Sequence, residues 1–168
     1  MMPSVRRIAM LGNASDAIYA KAMFDECLRA GRSAGVEVQP TVMMQGPDDR
    51  LEAAFTTIVQ ERAEAVIVQG SLVTKALADT AIKYRIPAAS STRSIVDVGG
   101  LMAFGADGPA AVRHGTKFVQ RVLQGRHPKD IPIEQPTKFE LVINLKTAKA
   151  IGLAIPEAFL LRANSVLE

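Results

Sequence analysis

Three short apolar runs, each broken off by small polar residues, constrain this chain more than any other feature. Ile8-Ala9-Met10-Leu11 runs into Gly12-Asn13-Ala14-Ser15, Ala65-Val66-Ile67-Val68 into Gln69-Gly70-Ser71, and Ile86-Pro87-Ala88-Ala89 into Ser90-Ser91-Thr92-Arg93. Runs of this kind, apolar without alternation, suit strands buried on both faces. Helical stretches lie between them. One is expected from Ala17 to Ala34, capped by Ser15 or Asp16 and stopped by Gly35. A second strand follows over Val36 to Met44, then a turn and cap at Gly46-Pro47-Asp48-Asp49. Leu51, Phe55, Ile58 and Val59 share one face of a helix reaching Arg62, and another helix covers Leu72 to Tyr84. Strands alternating with helices at this spacing dictate right-handed βαβ units. The fold class is therefore α/β, a three-layer α/β/α arrangement around a mainly parallel sheet.

The second half is punctuated differently. Gly99 to Gly105 reads as a glycine-framed strand, Pro109 to Gln124 as a helix, and Gly125 to Pro132 as a turn-rich connection. A strand at Glu140 to Asn144 and a helix from Leu145 to Ile151 follow, and Pro156 opens a last helix expected over Glu157 to Val166.

Several function classes are excluded by composition. With 168 residues, 48% of them apolar and 22% charged, the chain has the makings of one globular domain. A net charge of +3, two Tyr and no Trp give no nucleic-acid surface. Lys146 and Lys149 stand at helical spacing, as a solvated face does. The single cysteine, Cys27, sits in an amphipathic stretch as a small hydrophobe and permits no intramolecular disulfide. No apolar run approaches the roughly 18 residues of a membrane span. The start, Met1-Met2-Pro3-Ser4, lacks the apolar segment of a signal peptide, and read literally it leaves the product in the cytoplasm.

In open parallel sheets, ligands bind beyond the carboxyl ends of the strands. Four such ends share a chemical character here: Asn13 to Ser15, Gln69 to Ser71, Ser90 to Arg93 and Phe104 to Asp107. They offer hydroxyls, amides, glycine-flanked backbone, one guanidinium and one ring, which together orient a small polar molecule. Each loop taken alone is also what ordinary turns and caps require. No catalytic set accompanies them. His114 falls on a helix and His127 in a turn, Gly12-Asn13-Ala14-Ser15 lacks the further glycines of a dinucleotide loop, and Ser90-Ser91 lacks a nucleophile elbow. No enzyme activity, cofactor or metal is expected.

One long stretch carries a resemblance. Pro132-Ile133-Glu134-Gln135-Pro136-Thr137-Lys138-Phe139-Glu140-Leu141-Val142-Ile143-Asn144-Leu145-Lys146-Thr147-Ala148-Lys149-Ala150-Ile151-Gly152-Leu153, with Ile155-Pro156 after it, resembles the C-terminal signature of tryptophan/tyrosine-type substrate-binding proteins of ABC transporters. Gly99-Gly100-Leu101-Met102-Ala103-Phe104-Gly105 is similar to that family's glycine-framed motif, with Phe104 where Tyr is usual, and Asp48-Asp49 and Ala53-Ala54-Phe55 also match.

The resemblance implies the second lobe of a type I periplasmic binding protein, a bilobed fold about twice this length that closes on its ligand about hinges near Arg7 and Gly99. It implies that Asn13, Ser15, Gln69, Ser71, Ser91 and Phe104 face the cleft, and that Arg93 offers a bidentate partner for a carboxylate. The ligand implied is an amino acid or related small organic molecule, the partners a membrane permease and ATPase, and the compartment the periplasm. Because such folds cross between lobes more than once, residues 1–98 are expected to form a Rossmann-like lobe. Residues 99–168 are then a crossover segment whose elements complete that lobe or swap onto a second copy, giving a homo-oligomer. The alternative is a cytoplasmic regulatory or interaction protein, derived from a receptor lobe and acting as a homodimer without a transport role.

Overall fold

The computed structural model describes residues 5–40, 42–46 and 50–168; the turn and cap residues Pro47, Asp48 and Asp49 lie outside the described residues. Its centre is an eight-stranded sheet. β1 (Arg7–Asn13) lies between β4 (Ala65–Val68) on one side and two short strands, β2 (Glu37–Val38) and β3 (Val42–Met44), on the other. Beyond β4 come β5 (Ala88–Ser90), β6 (Met102–Ala106), β7 (Phe139–Asn144) and β8 (Ser165–Leu167). Every pairing is parallel except β6 with β7.

Helix α1 (Ala17–Ala34) connects β1 to β2, α2 (Leu51–Gln60) connects β3 to β4, α3 (Lys75–Lys83) connects β4 to β5, and α4 (Ser94–Asp97) connects β5 to β6. Right-handed crossovers place α1 on one face of the sheet and α2, α3 and α4 on the other. The second face holds the main core. Ala9, Leu11, Val66, Val68, Ala88, Ala103 and Val142 from the strands pack there against Phe55, Ile58, Leu77, Ile95 and Val96. Phe55, Leu77 and Ile95 are completely buried. Two further helices, α6 (Leu145–Ala150) and α7 (Glu157–Leu160), lie between β7 and β8.

One excursion leaves this body. β6 ends at Ala106 opposite Phe139, the first residue of β7, and the Asp107 N–H donates to the Lys138 carbonyl at 3.1 Å. The residues between, 107–138, form an arm on that two-stranded stem: helix α5 (Gly108–Leu123), a short 3-10 turn at Pro128–Asp130, and an extended return. Asp107 caps α5 by accepting from Ala110 N–H at 2.8 Å. Glu134 of the return meets His114 at 2.7 Å and Arg121 at 3.7 Å, and the His114 ring sits edge-on to Phe118. No residue of α5 is buried.

The structure differs from the sequence reading at several elements. The strand expected over Val36 to Met44 is two strands, because Pro40 has no N–H to give the ladder. The pairing offset changes across the gap, from Ile8 with Val38 to Leu11 with Val42. The helix expected from Leu72 starts at Lys75, with Thr74 accepting from Leu77 N–H, and Gly70–Leu72 is a 3-10 turn. The last helix stops at Leu160 instead of continuing to Val166. Asn164 turns the chain by pairing with Leu141 through its backbone N–H and its side-chain oxygen, both at 2.8 Å, and Ser165–Leu167 then adds to the sheet.

Candidate functional site

β1, β4, β5 and β6 run parallel, so their carboxyl ends open on one edge of the sheet. Asn13, the last residue of β1, organises the first half of that edge. Its backbone N–H donates to Gln69 Oε1 at 2.8 Å and its side-chain nitrogen to Ser71 Oγ at 3.1 Å. Its side-chain oxygen accepts from Ser15 N–H at 2.9 Å, and Ser15 Oγ donates to the Gln45 carbonyl at 3.3 Å. Asn13, Ser15, Gln69 and Ser71 are therefore one connected network, with Gln45 joined from the end of β3. Gln69 is 2% exposed, so the oxygen that accepts from Asn13 is held inside the edge.

Two glycines knit the remaining strand ends to this network. A Cβ on Gly70 would stand 3.0 Å from Thr92 Cγ2, so the loop after β4 lies against the loop after β5. A Cβ on Gly105 would stand 1.9 Å from the Ser91 carbonyl oxygen; β6 passes Ser91 at a distance only glycine allows. Ser90 is buried and donates to the Val68 carbonyl at 2.9 Å, whereas Ser91 and Thr92 are exposed on the edge.

Arg93 and Phe104 stand apart from the neutral network. The Arg93 guanidinium is ion-paired to Glu140 of β7 and lies 3.7 Å from Asp97, so it reaches the edge already held by two carboxylates. Phe104 points from the sheet face that carries α1, is 58% exposed, and stacks on Phe139 with ring centroids 5.9 Å apart. Gln45, Phe139 and Glu140 were not among the residues singled out from sequence. Glu140 and Phe139 reach this edge only because β7 runs antiparallel to β6, and no local pattern states that pairing.

The edge can hold a polar group by neutral hydrogen bonds beside an aromatic surface. The Ser15 and Ser90 hydroxyls engage carbonyl groups, and His114 and His127 sit on the arm, paired with Glu134 and capping the Lys129 N–H respectively. Among the described residues there is no group of three or more His, Cys, Asp or Glu able to hold a metal, and no helix long and apolar enough to cross a membrane.

Comparison with known proteins names this architecture. The family model described as ABC transporter substrate binding protein matches residues 1–167. The chain belongs to that family. No curated protein matches it. Among solved structures, a conserved domain protein from Vibrio cholerae O1 biovar El Tor strain N16961 superposes with a TM-score of 0.83 at 23% identity, over 98% of this chain and 56% of that one. An ABC domain in complex with L-Trp from Streptococcus pneumonia gives 0.83 at 24% identity, over 98% and 57%. A substrate binding protein with adhesive properties from Clostridium difficile, in a ligand-free, open structure, gives 0.73 at 17% identity, over 99% and 55%. At these identities the likeness is one of fold. The chain spans just over half the length of each of these three proteins.

Proposed function

We propose that this chain is the C-terminal lobe of a solute receptor, holding an amino acid or a related small organic molecule on the edge that Asn13, Gln69, Ser71 and Ser91 form. In this reading a second lobe closes over the ligand, the complete receptor works in the periplasm, and it hands its cargo to a membrane permease and ATPase. Binding, without chemical change of the ligand, is the activity.

The observation that carries it is the continuity of the edge. Four strand ends, widely separated in sequence, meet through the Asn13 network and the two close glycine contacts. They present neutral donors and acceptors, among them the side chains of Asn13, Ser71 and Ser91. The family membership and the L-Trp complex of a structural neighbour support the class of ligand. Arg93 joins the site where a ligand carboxylate displaces Glu140, and Phe104 packs on the apolar part.

A panel of amino acids and small organic acids and amides, followed by thermal melting and calorimetry, tests the reading. Ligand at about a hundred times its Kd adds about 2.7 kcal/mol to stability. At about 2–4 °C per kcal/mol for a domain of this size, the melting temperature rises by about 5–10 °C. Asn13→Ala should abolish that rise. No shift with any compound at millimolar concentration would overturn the reading for this chain. The second reading, an interaction protein without a transport role, draws on the uncovered arm and survives that result.

A further inference from the structure

The ligand edge carries an ion pair that a charged ligand has to open. Arg93, in the loop after β5, is paired to Glu140 of β7 and lies 3.7 Å from Asp97 of α4. Glu140 is the most covered of the three, its side chain 26% exposed against 47% for Arg93 and 54% for Asp97. It stands opposite Gly105 in the stem, and Gly105 is the residue that lies against the Ser91 carbonyl, so the pair adjoins the neutral edge.

The pair lines a cavity of about 560 Å³ between the stem, the loop after β5 and the start of α5. Its polar lining is Ser91, Thr92, Arg93, Asp107, Arg113 and Glu140. Guanidiniums and carboxylates are balanced there, two of each, and Asp107 is occupied as the cap of α5. Such a cavity sorts ligands by charge. A compound that brings only a carboxylate takes Arg93 and leaves Glu140 near other acidic groups without its cation. A compound that brings only an ammonium takes Glu140 away from Arg93 and gives the guanidinium nothing in return. A neutral amide offers neither charge an equal exchange. A charge that loses both water and partner is costly, and closure of a second lobe, by excluding water, raises that cost.

We propose that Glu140 makes this edge selective for a zwitterion: the ligand's carboxylate replaces Glu140 on Arg93, and the ligand's ammonium replaces Arg93 on Glu140. One ion pair becomes two, and no charge is left over. Asp97 stays behind Arg93 throughout. Because the two protein groups start in contact, the two charges of the ligand have to be close together, as those on the α-carbon of an amino acid are. The inference rests on the solute reading above and narrows it. Free organic acids are rejected through Glu140 and simple amines through Arg93, so Glu140 is a specificity-determining residue rather than a mere tether of the stem.

Matched probes test it on the full chain. Each standard L-amino acid that raises the melting temperature is compared by calorimetry with its deamino acid and its amine: for L-tryptophan, indolepropionate and tryptamine; for L-leucine, isocaproate and isoamylamine. The amino acid should bind about ten- to a hundredfold more tightly than either, the range of a hydrogen bond to a charged group. Glu140→Gln keeps the shape of the side chain and should reverse the order. The amino acid weakens by about that factor, while the deamino acid, meeting an Arg93 released from its carboxylate, binds more tightly than before. A variant that only loosened the stem would weaken every compound together, and far-UV circular dichroism checks its fold. A deamino acid or amine that matches its amino acid, or an amino acid indifferent to Glu140→Gln, would overturn the inference and leave the solute reading standing. Silence from every amino acid overturns it too, and the solute reading falls with it only where the organic acids and amides are silent as well.

Discussion

The sheet body and the arm are built from the same kinds of residue and differ in what covers them. In the body, strands hidden on the main-core face pack against α2, α3 and α4, and Phe55, Leu77, Ile95 and Val142 are completely buried. In the arm, α5 is as amphipathic as any helix of the chain, yet buries nothing. The body's fold is held by its own core, whereas the arm's position rests on a two-stranded stem, the Arg93–Glu140 pair on one side of it and the Phe104–Phe139 stack on the other. The comparison teaches that amphipathicity alone does not fix a helix in place; a second surface has to receive it.

The sharpest way to break the comparison is to truncate one large side chain in each region. Phe55→Ala should lower the stability by about 3–5 kcal/mol, through lost transfer energy and the cavity left in the core. Val119→Ala, measured in dilute solution, should change it by no more than about 0.5 kcal/mol. Urea unfolding monitored by circular dichroism compares the two. Equal losses would mean that the arm is packed as the body is.

Next in size is the stem. Gly105→Val places a branched side chain where the Ser91 carbonyl stands 1.9 Å from the first added carbon. Separating the two strand ends should cost about 1–3 kcal/mol, as overpacking does. Its signature is regional: amides of β6 and β7 lose hydrogen-exchange protection while those of β1 and β4 keep theirs.

The smallest effect is electrostatic, and it belongs to the body. The Glu64 carboxylate accepts from the N–H groups of Arg6 and Arg7 at 2.6 and 3.1 Å, and these bonds hold its pKa below the usual carboxylate range. Glu52 is lowered first by its bond from Lys83 and then by that from Tyr84, a contact that ties α2 to α3. Groups lowered on folding stabilise the native state above their unfolded pKa, and that contribution is lost as pH falls through the folded value. The melting temperature should therefore decline at acid pH, below the ordinary Glu range, and Glu64→Gln should flatten the decline. Both carboxylates face solvent, so salt should reduce the effect.

Where sequence and structure agree, local chemistry is enough. Ile8 to Leu11 and Ala65 to Val68 announce buried strands, and Gly35 announces the end of α1. The C-terminal tail departs from the sequence expectation because Ala158, Phe159, Leu160 and Leu161 carry helical spacing beyond the point where the helix ends. The strand after them exists only through its pairing with β7, a contact with Leu141 more than twenty residues away. The split of the second strand is written locally, in the missing N–H of Pro40. The strand-end rule points to Asn13, Gln69 and Ser71, and hydrogen bonds join these three residues through side chain and backbone. It could not find that Arg93 is already engaged, since Glu140 comes to it across an antiparallel pairing that no short motif encodes.

The interruption between β2 and β3 bears on how the molecule behaves in a crowded cell. An outer strand with a continuous row of free amides and carbonyls is a template on which other chains can crystallise into fibrils. Here that border is two fragments of two and three residues, offset in register around Pro40, and the far border is the three-residue β8. Neither offers a run long enough to seed growth. Such a sheet terminates itself, and open-ended stacking finds no border on which to start.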